Sequence, residues 1–545
     1  MSLKSPLEMF YHWEETTPNS IYLKQPIKGS VKDFTWRDVG DQARKVAASL
    51  INMGLPAGSH IAILSKNCAE WFITDLAIML AGHVSVPIYS TAGEDTIRYV
   101  LDHAKCPVIF IGKLDDTKNQ VAAVDDGIIK LAFPYPEIPA DKQWHELLQN
   151  SAYLDKPIPA LDSVMTIVYT SGSTGNPKGV VHNYESICWA ASNSLNELGV
   201  DQNDRVLSYL PLAHITERVL VEIASFYSGM RINFLESLDT FARDVNATEP
   251  TLFISVPRLW TRFQLGVLAN MPQKKLDLLL RIPIVSSLVS KKIRTKLGLG
   301  KARLCASGSA PIPITTLEWF RKIGVNISEG WGMTENSAYG TCCIPFRVDK
   351  IGCIGRAYAG VDIRIAQDGE IQVKGPCNMK EYYLEPQKTA EVMTEDGYLK
   401  TGDKGSIDSD GYIKITGRLK EIFKTSKGKY IAPVPIESKL MANASIEQVC
   451  VTGSQLKQPI GLVVLSEVAL KLSAEDIEKS LLATLNAVND TLESHAVLDC
   501  LVVMKDEWTV NNGFLTPTLK VKRHNLEEHY ESLINSELSG KIVRQ

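Results

Sequence analysis

Residues 164–182, Val-Met-Thr-Ile-Val-Tyr-Thr-Ser-Gly-Ser-Thr-Gly-Asn-Pro-Lys-Gly-Val-Val-His, restrict the fold more than any other stretch. They open with β-branched and aromatic residues from Thr166 to Thr170, the composition of a buried strand. The next nine residues carry Gly172, Gly175 and Gly179, the hydroxyls of Ser171, Ser173 and Thr174, and Lys178. A helical period from about Asn183 to Leu198 follows. Strand, small-residue loop and helix together predict a phosphate cradle. Glycines let backbone N–H groups approach an anion, hydroxyls donate to its oxygens, and a lysine neutralises it. The string is not a Walker A loop, because the fifth residue after Gly172 is Pro177 where that pattern needs glycine. A plain Gly-rich turn is the competing reading.

A chain of 545 residues exceeds what one core can organise, so at least two domains are expected. β-branched runs at 60–64, 84–89 and 108–111 alternate with helical patterns that end at Leu50 and span 68–81. That alternation predicts an α/β fold with a parallel sheet. Turn-bounded strands at 369–375 and 412–416 add a β-rich portion. Helical patterns at 436–441 and 474–492 around strands at 449–452 and 460–465 predict a small α+β domain. The boundary is placed so that residues 1–417 form the large domain and 418–545 the small one.

Net charge of −4 and a pI near 6.3 do not suit a nucleic-acid partner. The ten cysteines contain no Cys-x-x-Cys pair, which argues for a reducing, cytoplasmic setting. The first residues lack an apolar leader, and no 18-residue uncharged apolar stretch occurs.

The string from Tyr169 to Gly179 resembles the phosphate-binding signature of the adenylate-forming superfamily, which holds acyl-CoA synthetases, aryl-CoA ligases, luciferases and adenylation domains. The resemblance implies that Thr170, Ser171, Gly172, Ser173, Thr174, Gly175 and Lys178 bind the phosphates of ATP. Further motifs follow in the superfamily's order. Leu-Cys-Ala-Ser-Gly-Ser-Ala-Pro at 304–311 is small enough for a flat ring to lie against backbone, and the resemblance places adenine at Ser307 and Gly308. In Glu-Gly-Trp-Gly-Met-Thr-Glu it implies that Trp331 stacks on adenine, Thr334 donates to phosphate and Glu335 holds Mg²⁺. A carboxylate is a suitable hard ligand for that ion. Tyr-Leu-Lys-Thr-Gly-Asp ends at Asp403, which would hold the ribose. Arg418 would touch ribose or phosphate, Lys420 would be the hinge, and Gly428 would permit close backbone approach in the CoA channel. Thr-Pro-Thr-Leu-Lys at 516–520 makes Lys520 the adenylation lysine; its spacing excludes the neighbouring Lys522 and Arg523.

Pro-Leu-Ala-His-Ile-Thr-Glu-Arg at 211–218 resembles long-chain fatty acyl-CoA synthetases, which implies that His214 borders the carboxylate end of the acyl pocket. The implied reaction joins a fatty acid to CoA through acyl-AMP, with ATP and Mg²⁺, and Lys520 leaves by rotation of the small domain before the thiol enters. An acyl-AMP ligase serving a carrier protein, an aryl- or medium-chain acyl-CoA ligase, and a non-catalytic sensor are the alternatives. Residues 274–303 hold nine Lys or Arg against Asp277, interleaved with apolar residues. They read either as a solvated helical hairpin or as a surface for anionic lipid at the inner face of a membrane.

Overall fold

The β-branched runs become strands because neighbouring strands and covering helices bury them on both faces. A computed structural model describes residues 3–136, 138–170, 176–516 and 518–545. Among the described residues, an eight-stranded sheet runs in the order Glu381–Tyr382, Lys178–Asn183, Val164–Thr170, Val84–Ile88, His60–Leu64, Val108–Ile111, Ile129–Ala132, Lys142–Gln143. From Val164–Thr170 to Lys142–Gln143 all neighbours are parallel. The Ala69–Leu80 helix that covers it is buried on every side. A second sheet sets Leu252–Ser255, Leu304–Ser307 and Ile327–Trp331 in parallel, and a third, antiparallel one contains Leu399–Ile407 and Ile413–Arg418.

The last hundred or so residues build their own core. Strands Ile446–Thr452, Ile460–Leu465, Leu501–Val503 and Ile542–Arg544 form one sheet. Leu440, Leu481 and Leu485 pack on one face, and Trp508, Leu526 and Tyr530 on the other. The molecule is thus α/β with a large N-terminal domain and a small α+β C-terminal domain.

One expectation fails in an informative way. The phosphate loop does not lead into a helix. Lys178–Asn183 is a strand that pairs antiparallel with Val164–Thr170, from Thr170 opposite Lys178 back to Val164 opposite Asn183. The helix Tyr184–Leu198 starts only after this hairpin, capped by the Asn183 side chain on the Ser186 amide. The Gly-Val-Val-His run after Lys178 favours the strand, since β-branched residues prefer a pleated, half-buried surface.

Candidate active site

Loop residues Ser171, Gly172, Ser173, Thr174 and Gly175 lie outside the described residues. Their two anchors do not. Thr170 ends one hairpin strand and Lys178 begins the other, with the Lys178 Nζ 4.5 Å from the centre of the Tyr382 ring. Tyr382 lies beside this hairpin, in register with Val180. Its hydroxyl donates to Glu335 Oε1 at 2.7 Å. One aromatic side chain thereby links the loop lysine to the expected Mg²⁺ carboxylate. The other Glu335 oxygen has no protein donor among the described residues.

Thr334 and Glu335 form a 3₁₀ turn that a buried histidine holds in place. The Nε2–H of His182 donates to the Thr334 carbonyl at 2.8 Å, while Ser186 and Ser337 hydroxyls lie 3.3 Å from Nδ1. Burial pushes this imidazole down to about 4, so it is neutral in the folded protein. The unfolded chain takes up the proton near pH 6.5. Stabilisation by neutral His182 is therefore complete above pH 6.5 and is lost as pH falls towards 4, a change on the order of 3 kcal/mol. Urea unfolding of wild type and His182→Gln should show a stability difference that shrinks between pH 7 and pH 5; a constant difference would contradict the neutral imidazole.

Trp331 stands at the end of its strand with its ring against Gly340, where even a Cβ would come within 2.7 Å of the indole. Its Nε1–H donates to Asp403 Oδ2 at 2.9 Å, and the Arg418 Nε–H donates to Oδ1 at 2.7 Å. Asp403 lies within the Leu399–Ile407 strand, directly opposite Arg418, so the carboxylate is aimed by sheet register. Each oxygen retains a lone pair for a further donor. Ser307 is buried and its Oγ has no hydrogen-bond partner among the described residues. At neighbouring Gly308 a Cβ would lie 3.2 Å from the Gly330 carbonyl, which leaves room for little but hydrogen.

Lys520 arrives from the small domain. Its backbone N–H donates to Thr516 Oγ1 at 3.0 Å and its carbonyl accepts from the Thr516 amide at 2.8 Å, which closes a tight turn with Leu519 at φ 60°. Surrounding protein pushes the ammonium below the usual lysine range. Arg418 adds repulsion, while Asp403, Glu421 and Glu335 pull the other way. The side chain keeps solvent contact, which moderates these effects. His214 senses the same ammonium: burial first, then Lys520, push its imidazole down to about 4. It caps a short helix, with the Thr216 amide donating to Nδ1 at 3.3 Å. Lys520 thus lies within electrostatic range of Glu335, Asp403, Arg418 and His214.

The remaining expectations divide. Lys420 is exposed in the turn Leu419–Glu421 between the domains. Gly428 sits in a hairpin turn at φ +75°, where a Cβ would meet only Lys424 Cε at 3.7 Å. Backbone conformation rather than close approach explains this glycine. Arg523 pairs with Glu437 and Glu421 inside the small domain and takes no part in the cleft. Among the described residues no group of three or more His, Cys, Asp or Glu could hold a metal alone. Glu335 with one free oxygen suits Mg²⁺, which takes few protein ligands when phosphates supply the rest.

Two features beside the cleft had escaped notice in the sequence. One is His182. The other is a fully buried ionic cluster, in which Arg218 Nη2 lies 2.9 Å from Asp75, Nη1 lies 3.1 Å from Glu222, and Nη2 donates to Ser85 Oγ at 2.7 Å. Glu217, just before Arg218, accepts from Ser208 and Asn67, and burial pushes it up to about 8. The signal available was Asp75 and Glu70 inside an otherwise apolar helix.

Comparison with known proteins agrees with this geometry. Residues 10–383 match the AMP-binding enzyme family and residues 420–539 the AMP-binding enzyme C-terminal domain. Long-chain-fatty-acid–CoA ligase FadD15 of Mycobacterium bovis is 30% identical over 590 aligned positions, covering 97% of this chain and 96% of its own. Long-chain-fatty-acid–CoA ligase 5 of Mus musculus is 30% identical over 577, covering 93% and 84%. The fold resembles the anthranilate CoA ligase AuaEII in complex with anthranoyl-AMP, with TM-score 0.81 and 19% identity over 98% of both chains. It also resembles o-succinylbenzoate coenzyme A synthetase MenE of Bacillus subtilis in complex with AMP, with TM-score 0.74 and 22% identity over 95% and 98%. With the two family models matching in order along both domains, the chain belongs to the AMP-binding enzyme family.

Proposed function

We propose that the protein ligates a long-chain fatty acid to CoA through an acyl-AMP intermediate. The observation that supports this reading is that Lys520 of the small domain lies within electrostatic range of Asp403, Arg418, Glu335 and His214. A fatty carboxylate oxygen attacks the α-phosphorus of ATP, the bond to the β-phosphate oxygen breaks, and pyrophosphate leaves. Two anions must meet, so positioning and charge neutralisation dominate. Lys178 and Lys520 supply positive charge, Asp403 and Arg418 hold the ribose, and Trp331 and Ser307 flank the adenine. Mg²⁺ held by Glu335 would screen the triphosphate. Neutral His214 borders the carboxylate without adding charge. The CoA sulfur then attacks the acyl carbon, the mixed-anhydride C–O bond breaks, AMP leaves and the thiol proton passes to solvent. For this step the small domain turns about Lys420 and carries Lys520 away, while the Gly428 turn faces the CoA channel. Long-chain-fatty-acid–CoA ligases among the relatives support the acyl class.

Pyrophosphate release across saturated fatty acids of increasing length, with and without CoA, tests the reading. Turnover that peaks on long chains and needs CoA is expected. A single burst insensitive to CoA would favour an acyl-AMP ligase.

The hairpin Gln273–Leu280 and Pro283–Lys296 supports a second role. Leu276 and Ile293 anchor it in the core, while Leu278, Ile282, Ile284 and Leu288 are exposed beside Lys274, Lys275, Arg281, Lys291 and Lys292. Apolar residues ringed by lysines suit an anionic lipid surface. Among the described residues no helix is long and apolar enough to cross a membrane, so the contact is peripheral. Co-sedimentation with phosphatidylglycerol vesicles should be strong at low salt and fall in Ile284→Asp; equal binding to neutral vesicles would overturn the electrostatic part.

A further inference from the structure

A second cluster of charge joins the two domains away from the nucleotide. Arg258 and Arg262 lie one turn apart on the helix Pro257–Asn270 of the large domain, and so on one face. Both guanidiniums converge on a single carboxylate of the small domain, that of Glu447 in the strand Ile446–Thr452. Arg262 Nη2 is 3.5 Å from Glu447 Oε1, and Arg258 pairs with the same oxygen. Among the described residues neither arginine has another ion-pair partner. Arg258 is half-buried, and its Nε–H is enclosed without an acceptor. Burial, then repulsion from Arg262, pushes the Arg258 guanidinium below its usual range.

One negative charge thus balances two positive ones, and that charge belongs to the domain that moves. When the small domain turns, Glu447 departs with it. Two adjacent guanidiniums then remain on the wall of the interdomain cleft, with one donor already lacking a partner. Such a pair matches a phosphate dianion in charge and in its forked donor geometry. The reactant that enters after the turn is CoA, which carries a 3′-phosphate and a diphosphate. We propose that Arg258 and Arg262 form a subsite for the 3′-phosphate of CoA, masked by Glu447 in the adenylation orientation and uncovered in the thioester-forming one. The inference rests on the CoA ligase reading above.

The test compares CoA with 3′-dephospho-CoA as acceptor in wild type, in Arg262→Gln and in Arg258→Gln/Arg262→Gln. The readout is the ratio of kcat/KM for the two acceptors, because any general loss of folding or adenylation lowers both alike. Wild type should favour CoA by at least about tenfold, mainly through KM, as expected for a charge-assisted contact. The double variant should lose most of that preference. Arg262→Gln, whose side chain is 60% exposed and so can be replaced without disturbing packing, should lose part of it. Glu447→Gln should keep the preference. A ratio that stays at the wild-type value in both arginine variants overturns the subsite. Wild-type protein that releases pyrophosphate but forms no thioester with either acceptor overturns the CoA ligase reading and the subsite together.

Discussion

Lys520→Ala is expected to slow acyl-AMP formation by about 10²–10³-fold, the effect of removing one preorganised charge from a site where two anions must meet. Thioester formation from preformed acyl-AMP should fall far less, because in that half-reaction the lysine has left the cleft. Two features of the structure motivate this split. The Thr516–Lys520 turn holds the lysine backbone through paired hydrogen bonds, and the ammonium lies within electrostatic range of Asp403 and Glu335. ATP–pyrophosphate exchange measures the first half, and single-turnover reaction of purified acyl-AMP with CoA measures the second. Equal losses in both halves would sink the assignment. Lys522 makes a useful control for charge alone; Arg523 does not, since it pairs with Glu437 and serves the small domain's fold.

The second large effect concerns stability. Arg218→Met should lower the unfolding free energy by about 3–5 kcal/mol, because it strands the carboxylate of Asp75 in a fully buried setting. Glu222 contributes less to that penalty, since burial and the nearby Asp75 raise its carboxyl well above the ordinary range and favour its neutral form. The double variant Arg218→Met/Asp75→Asn removes both charges and should recover most of the loss. Denaturant unfolding of wild type, the single variant and the double variant measures this. If the double variant is no more stable than Arg218→Met, the loss arises from packing against Trp71, over which the guanidinium lies at 5.3 Å, and the ionic account fails. The cluster shares its helical segment with His214, two turns or fewer away, so the same variants should also weaken fatty acid binding.

Much of this protein could be read directly from its residues. Strands at His60–Leu64 and Val108–Ile111 appear where β-branched runs lie between turn residues, because such side chains fit a pleated, buried surface. Lys520, Asp403 and Glu335 stand out only through the family resemblance of the strings that hold them; read alone, Asp403 is a turn former and Lys520 a solvated lysine. The loop hairpin was harder to read. Gly-Val-Val-His followed by a capped helix fits either a helix entry or a returning strand, and only pairing with Val164–Thr170 decides between them.

The tertiary structure alone decided every contact between residues far apart in the chain. Arg218 meets Asp75 across 143 positions, and Trp331 meets Asp403 across 72. Arg258 and Arg262 meet Glu447 only because the small domain has closed in one orientation. Local strings determine strand, turn and the identity of reactive groups, since these depend on near neighbours. Burial, pKa and ion pairing depend on what packs from elsewhere, and for Lys520 and His214 that partner comes from the other domain.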